Sequence, residues 1–70
     1  MSGIVDTYIT YRIVTTLVKP WKEQEAYEYG IINEKGKVLR RYRELKDRKE
    51  KESYTVLIRF IFNLKRMMEK

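Results

Sequence analysis

The 70-residue sequence predicts a small α+β fold made of an N-terminal helix, a short helix, a two-stranded β-hairpin and a long C-terminal helix. Two stretches repeat apolar residues at helical spacing, and between them two apolar pairs flank a turn that contains a glycine. A chain of this length is typical of a single domain with a small core. We therefore expect one domain over residues 1–70.

Residues 4–18 combine a strand-like composition with a helical period. Apolar residues recur every four positions, at Val5, Ile9, Ile13 and Leu17, and Tyr8, Tyr11 and Val18 widen this stripe. The many β-branched residues also fit a strand with alternating faces. Fifteen residues without a turn signal are long for a strand, which favours a helix. Pro20 disfavours helical backbone at the preceding residue, so this helix should end near Val18.

A second, short helix is predicted over about residues 20–29. Pro20 suits a first helical turn, where its missing N–H costs nothing, and Gly30 is a typical stop. We expect Trp21 and Ala26 to face inward.

The segment over about residues 30–41 has the pattern of a β-hairpin. The pairs Ile31-Ile32 and Val38-Leu39 flank four turn residues, and the last of these, Gly36, occupies the position at which a type I turn with a bulge needs left-handed backbone. Because an isolated hairpin is barely stable in water, we expect it to pack on a helix.

The C-terminal third predicts one helix over about residues 48–69. Asp47 and Glu50 have the spacing of a capping box. Apolar residues then recur at intervals of three and four, at Tyr54, Leu57, Ile58, Ile61, Leu64 and Met68.

Composition excludes several classes of chemistry. The chain has no cysteine and no histidine, which removes disulfides, the usual zinc sites and Ser-His-Asp triads. We expect no enzyme and no cofactor. Glu23, Glu25 and Glu28 could hold a divalent ion or act as acid and base, but their spacing is more typical of an exposed face. The apolar runs are too short to span a bilayer, and the absence of a signal-peptide pattern favours an intracellular or particle-packed chain.

The whole net charge of +6 lies in residues 35–51, which we call the basic segment and which hold nine cations and three anions. Its candidate contacts to an anionic partner are Lys35, Lys37, Arg40, Arg41, Tyr42, Arg43, Lys46 and Lys49. Cations around an aromatic residue are typical of nucleic-acid binding. Strand alternation would split these side chains between two faces, and the interleaved acids dilute the charge. A solvated hairpin edge is therefore favoured, with nucleic-acid binding as the alternative.

Apolar residues exceed what one hairpin can cover, which favours a surface for a protein partner, self-association included, over a helix buried on all sides. The candidate partner face on the last helix is Val56, Phe60, Phe62 and Met67.

The chain resembles a family of small proteins of T-even-like tailed phages. The matching residues are Lys19-Pro20-Trp21, Ala26-Tyr27, Gly30-Ile31-Ile32-Asn33, Gly36-Lys37-Val38-Leu39, Glu52-Ser53-Tyr54, Arg59 and Phe62-Asn63-Leu64-Lys65-Arg66. Members are described as virion structural, prohead core or prohead-protease inhibitor proteins. The resemblance implies a non-enzymatic protein that contacts a phage or host protein, in the virion or in the cytoplasm of the infected host.

Overall fold

The computed structural model describes residues 3–70, with the side chains of residues 4 and 5 left out, and it is mainly helical. The elements are α1 (Ile4–Val18), a 3-10 turn (Trp21–Glu23), α2 (Glu25–Glu28), a second 3-10 turn (Tyr42–Glu44), α3 (Arg48–Glu52) and α4 (Val56–Met68). Residues 3–70 contain no β-strand and no sheet. The predicted α+β class and its β-hairpin are therefore wrong.

The segment predicted as a hairpin does fold back on itself, with the N–H of Leu39 donating to the Ile31 carbonyl at 2.7 Å and that of Asn33 to the Lys37 carbonyl at 2.9 Å, but the pairing is too short to form strands. Ile32 and Val38 form an isolated antiparallel bridge. Ile31 and Ile32 are neighbours and both are fully buried, whereas successive residues of a strand point to opposite faces. The apolar pair that suggested a strand is instead two consecutive core residues.

The turn itself has left-handed backbone at Gly36, as the sequence indicated. The Asn33 side chain accepts hydrogen bonds from the N–H groups of Lys35 and Lys37, at 2.8 and 2.9 Å. Gly36 has a φ of +81°, and the Trp21 ring packs directly against it. The turn therefore closes over the indole of Trp21.

The long C-terminal helix predicted over residues 48–69 is two helices. α3 ends at Glu52, and Thr55 begins α4 by accepting a hydrogen bond from the N–H of Ile58 at 3.3 Å. The hydroxyl of Ser53 donates to the Glu50 carbonyl at 2.7 Å, which helps to end α3. Asp47 precedes α3 but makes no side-chain cap, so the predicted capping box is not formed.

The core lies between α4, the 3-10 turn at Trp21, α2 and the following turn. Phe62 is at its centre, 1% exposed, with its ring 5.2 Å from that of Trp21 in an edge-on arrangement. The other buried apolar residues are Ala26, Ile31, Ile32, Leu45, Tyr54, Ile58 and Ile61. Trp21 and Ala26 thus face inward as predicted.

Lys65 lies within this buried face of α4. Its ammonium group donates to the Leu17 carbonyl at 2.8 Å, pairs with Glu69 at 3.3 Å and lies 5.2 Å from the centre of the Trp21 ring. The carboxylate of Glu69 also accepts the indole N–H of Trp21 at 2.9 Å. This cluster joins the end of α1 to the last turn of α4.

α1 covers the residues for which helix and strand were both compatible with the sequence, and it packs on α4. Within residues 3–70, no helix combines the length and the apolar character needed to cross a membrane.

Candidate interaction surfaces

The outward side of α4 carries a line of exposed apolar residues. Val56, Phe60 and Met67 are 73%, 58% and 69% exposed, and the exposed Asn63 lies on the same line. The spacing of four, three and four residues keeps these side chains on one side of the helix, opposite Ile58, Ile61, Phe62 and Lys65. We call Val56, Phe60, Asn63 and Met67 the α4 stripe.

Phe62 was predicted to belong to this outward face, and that prediction is wrong. The residue is at the centre of the core and contacts Trp21 and Tyr54. The error has a physical cause, since Lys65 occupies the middle of the inward face and a lysine there breaks the apolar pattern. The predicted inward face therefore left out Phe62 and Lys65.

A second exposed line runs along α1. Tyr11, Val14 and Val18 are 67%, 52% and 73% exposed, and Thr7 continues the line towards the N-terminus. Their spacing of four, three and four residues is that of the contact positions of a coiled coil. We call Thr7, Tyr11, Val14 and Val18 the α1 seam. The side chains that flank it, Tyr8, Thr10 and Thr15, are uncharged as well.

Among the described side chains of α1, from residue 6 onward, those that pack on the rest of the molecule lie in the C-terminal half of the helix. Ile13 and Leu17 pack on the core, and Thr16 is buried. The Gln24 amide donates to the carbonyls of Thr16 and Lys19 at 3.0 and 3.1 Å. By contrast, every residue from Asp6 to Tyr11 is exposed. The predicted inward positions of Tyr8, Tyr11 and Val18 are therefore wrong.

The sequence predicted that a strand would divide the cations of the basic segment between two faces. The basic segment contains no strand. Arg40 is the exception among the cations, because it turns inward. Its guanidinium donates to both carboxylate oxygens of Glu50, at 2.9 and 3.3 Å, and to the Tyr29 carbonyl at 3.2 Å. These hydrogen bonds hold the pKa of Glu50 below its ordinary value, against the opposite effect of desolvation. Arg40 is thus a structural residue.

Tyr42, within the basic segment, lies under the guanidinium of Arg59. Arg59 from α4 stands 4.7 Å from the centre of the Tyr42 ring and 5.6 Å from that of Tyr54. One face of Tyr42 is therefore already in a cation–π contact.

The acids that dilute the basic segment are largely engaged within the protein. Of its three acids, Glu50 pairs with Arg40 and Glu44 accepts the backbone N–H of Arg41 at 3.0 Å, while Glu52, just beyond the segment, pairs with Arg48. Among residues 3–70, the cations of the segment that lack an ion-pair partner are Lys35, Lys37, Arg41, Arg43, Lys46, Lys49 and Lys51. All seven are exposed. The predicted anionic contacts other than Arg40 thus remain accessible.

Glu23, Glu25 and Glu28 are exposed, as in a solvated face. Within the described part of the chain, no three carboxylates come together in a group that could hold a metal ion.

The α1 seam was missed because the sequence offered a competing stripe. Ile9, Ile13 and Leu17 have the same period as Thr7, Tyr11, Val14 and Val18, and both lines are uncharged. The only charged residues of α1 are Asp6 and Arg12, too few to form a polar face that shows which side is outward. The signal was nevertheless present, as the spacing of four, three and four.

No family model, curated protein or solved structure matches this chain significantly. The resemblance to the phage family stays a prediction, and the surfaces described above are the basis for a functional proposal.

Proposed function

We propose that this chain is a non-enzymatic protein that acts by contacting another protein through the α4 stripe. The observation that supports this is the exposure of Val56, Phe60 and Met67 on one side of a helix whose other side is buried in the core. Aromatic residues and methionine are enriched in protein interfaces, and a rigid helix can offer them to an apolar groove.

The resemblance to the phage family makes a phage or host protein the expected partner. The chain would then act in the assembling head or virion, or restrain an enzyme in the cytoplasm of the infected host. In each case the chemistry of contact is the same, since Phe60 and Met67 enter an apolar groove and the polar Asn63 lies between them.

Affinity capture with paired variants tests this proposal. Immobilised wild-type chain should retain a protein from nuclease-treated lysate of the cell that naturally produces it, and Val56→Glu/Met67→Glu should lose that protein because a groove would have to bury two charges. Val14→Glu/Val18→Glu adds the same charge to α1 and should capture as well as wild type. Equal capture by all three chains would refute the role of the α4 stripe.

A second function, nucleic-acid binding by the basic segment, is favoured by the seven exposed cations that have no ion-pair partner within residues 3–70. Such cations bind phosphates by releasing counterions, which makes affinity fall steeply with salt. Because Arg40 is held by Glu50, it is not part of this surface.

Duplex DNA titrations at several salt concentrations test this second function. Replacing Arg41, Arg43 and Lys46 with glutamine should lower the slope of log affinity against log salt by about three. The same replacement of Lys19, Lys22 and Lys70 gives the control for net charge. Identical slopes for the two triple variants would show that any binding depends on overall charge and not on the basic segment.

A further inference from the structure

We propose that two copies of this chain associate through their α1 helices, antiparallel, with the α1 seam of each copy facing that of the other. This goes beyond the proposed function, because it uses a different helix and assigns a different partner. It rests on the stability of α1, the surface area of the chain and the placement of charge.

α1 is a poor helix by its own sequence. Ten of its 15 residues are β-branched, and each such residue costs up to about 0.7 kcal/mol relative to alanine in a helix. Its N-cap residue, Gly3, has no side chain with which to cap the helix. Residues 6–11 also lack burial in the single chain. Helices of this kind depend on tertiary packing, and within the chain residues 6–11 receive none.

The surface area of the chain matches what such a contact would cover. The chain exposes 5515 Å², whereas a monomeric protein of this mass exposes about 4,700 Å². The excess of about 800 Å² is close to what one partner contributes to an interface of standard size.

Charge favours a second copy as the occupant. A surface that binds an identical surface cannot carry charges of a single sign, because like charges would face each other. The α1 seam and its flanking residues carry no charge. The net charge of +6 is confined to the basic segment, which follows α2 in the chain and is not part of α1. Self-association through α1 therefore places no like charges against each other.

The orientation follows from the way α1 is attached. The body of the molecule is fastened to the C-terminal half of α1, through Ile13, Thr16 and Leu17. A parallel pair would bring the two positively charged bodies to the same end, whereas an antiparallel pair separates them. In an antiparallel pair, the large Tyr11 of one copy meets the smaller Val14 of the other, and each exposed N-terminal half lies beside the fastened half of its partner.

Sedimentation equilibrium of the purified chain tests the association. Wild type should move from one to two chain masses as concentration rises, and Val56→Glu/Met67→Glu should behave identically. Val14→Glu/Val18→Glu should associate at least tenfold more weakly, because each copy would place charge in an apolar contact. Fluorescence of Trp21 shows whether the body stays folded in each variant. A monomer at every concentration, or a dimer indifferent to Val14→Glu/Val18→Glu, would overturn the proposal.

Disulfide cross-linking tests the orientation of the two helices. Because the chain has no cysteine of its own, disulfides can form only between introduced cysteines. A mixture of Tyr11→Cys and Val14→Cys chains should oxidise mainly to the mixed disulfide, because antiparallel seams place these two positions opposite each other. Disulfides between two identical variants would instead indicate parallel helices and refute the antiparallel pair. If wild type is monomeric but still captures a protein through the α4 stripe, the dimer is refuted while the proposed function stands.

Discussion

At the scale of single residues, Gly36 meets two requirements at once. Its φ of +81° lies in the left-handed region, and a Cβ atom there would lie 2.5 Å from Cε2 of Trp21. Gly30 has a similar φ, +73°, but open space surrounds the position of its missing Cβ. Substitutions at these two glycines therefore distinguish the free-energy cost of left-handed backbone from the free-energy cost of a steric clash.

Gly36→Ala should therefore destabilise the protein more than Gly30→Ala does. We expect a loss of about 1 kcal/mol for Gly30→Ala, from the left-handed backbone alone, and a further loss of about 1–3 kcal/mol for Gly36→Ala, from the clash with the indole. Urea unfolding followed by circular dichroism measures both. Equal losses would show that the ring moves aside freely.

A second residue-scale prediction concerns Glu69. The hydrogen bond from Trp21 lowers the pKa of Glu69, burial opposes this, and Lys65 adds to the lowering. Because the pKa is lower in the folded than in the unfolded protein, ionised Glu69 stabilises the fold above about pH 4.3, and this contribution disappears as pH falls through the folded-state value.

Glu69→Gln should therefore lose less stability on acidification than wild type. Urea midpoints measured at successive pH values by Trp21 fluorescence give the comparison, with Glu52→Gln as the control on an exposed carboxylate. The same slope for wild type and Glu69→Gln would mean that Glu69 does not sense the folding of the chain.

At the scale of elements, α4 changes from its buried side to its exposed side within two residues. Phe62 is 1% exposed, whereas Phe60 is more than half exposed. Phe62→Ala should cost about 3–5 kcal/mol, a large share of the stability of a domain of this size. Phe60→Ala should change stability by no more than about 0.5 kcal/mol. Thermal unfolding of the two variants distinguishes the sides, and similar losses would contradict this orientation of α4.

The sequence predicted local chemistry better than pairing between segments. Helical period located α1, and the Asn33–Gly36 turn has the residues that its backbone needs. The prediction of a hairpin was wrong because the pair Ile31-Ile32 is equally compatible with a strand and with two consecutive core residues. Nothing local in the sequence shows that the Trp21 ring would pack against Gly36 in this turn.

The outward faces were only partly predictable for a similar reason. Val56, Phe60 and Met67, named from the sequence as candidate contact residues, are exposed on one side of α4, but Lys65 in the core concealed the inward position of Phe62. The hydrogen bond from Lys65 to Leu17 joins residues far apart in the sequence, and such a contact leaves no periodic signal.

At the scale of the whole molecule, three surfaces have different chemistry. The α1 seam is uncharged, the α4 stripe is apolar with one amide, and the basic segment holds the entire net charge. A dimer formed through α1 would present two α4 stripes and two basic segments.

Site-specific photo-cross-linking tests the central claim, contact with another protein through α4, most directly. Benzoylphenylalanine replaces either Phe60 on the stripe or Leu39, which is exposed elsewhere, and the cells that naturally produce the chain are irradiated. We predict a discrete cross-linked product with another protein from position 60 and none from position 39. No product from position 60, or the same products from both positions, would contradict the claim.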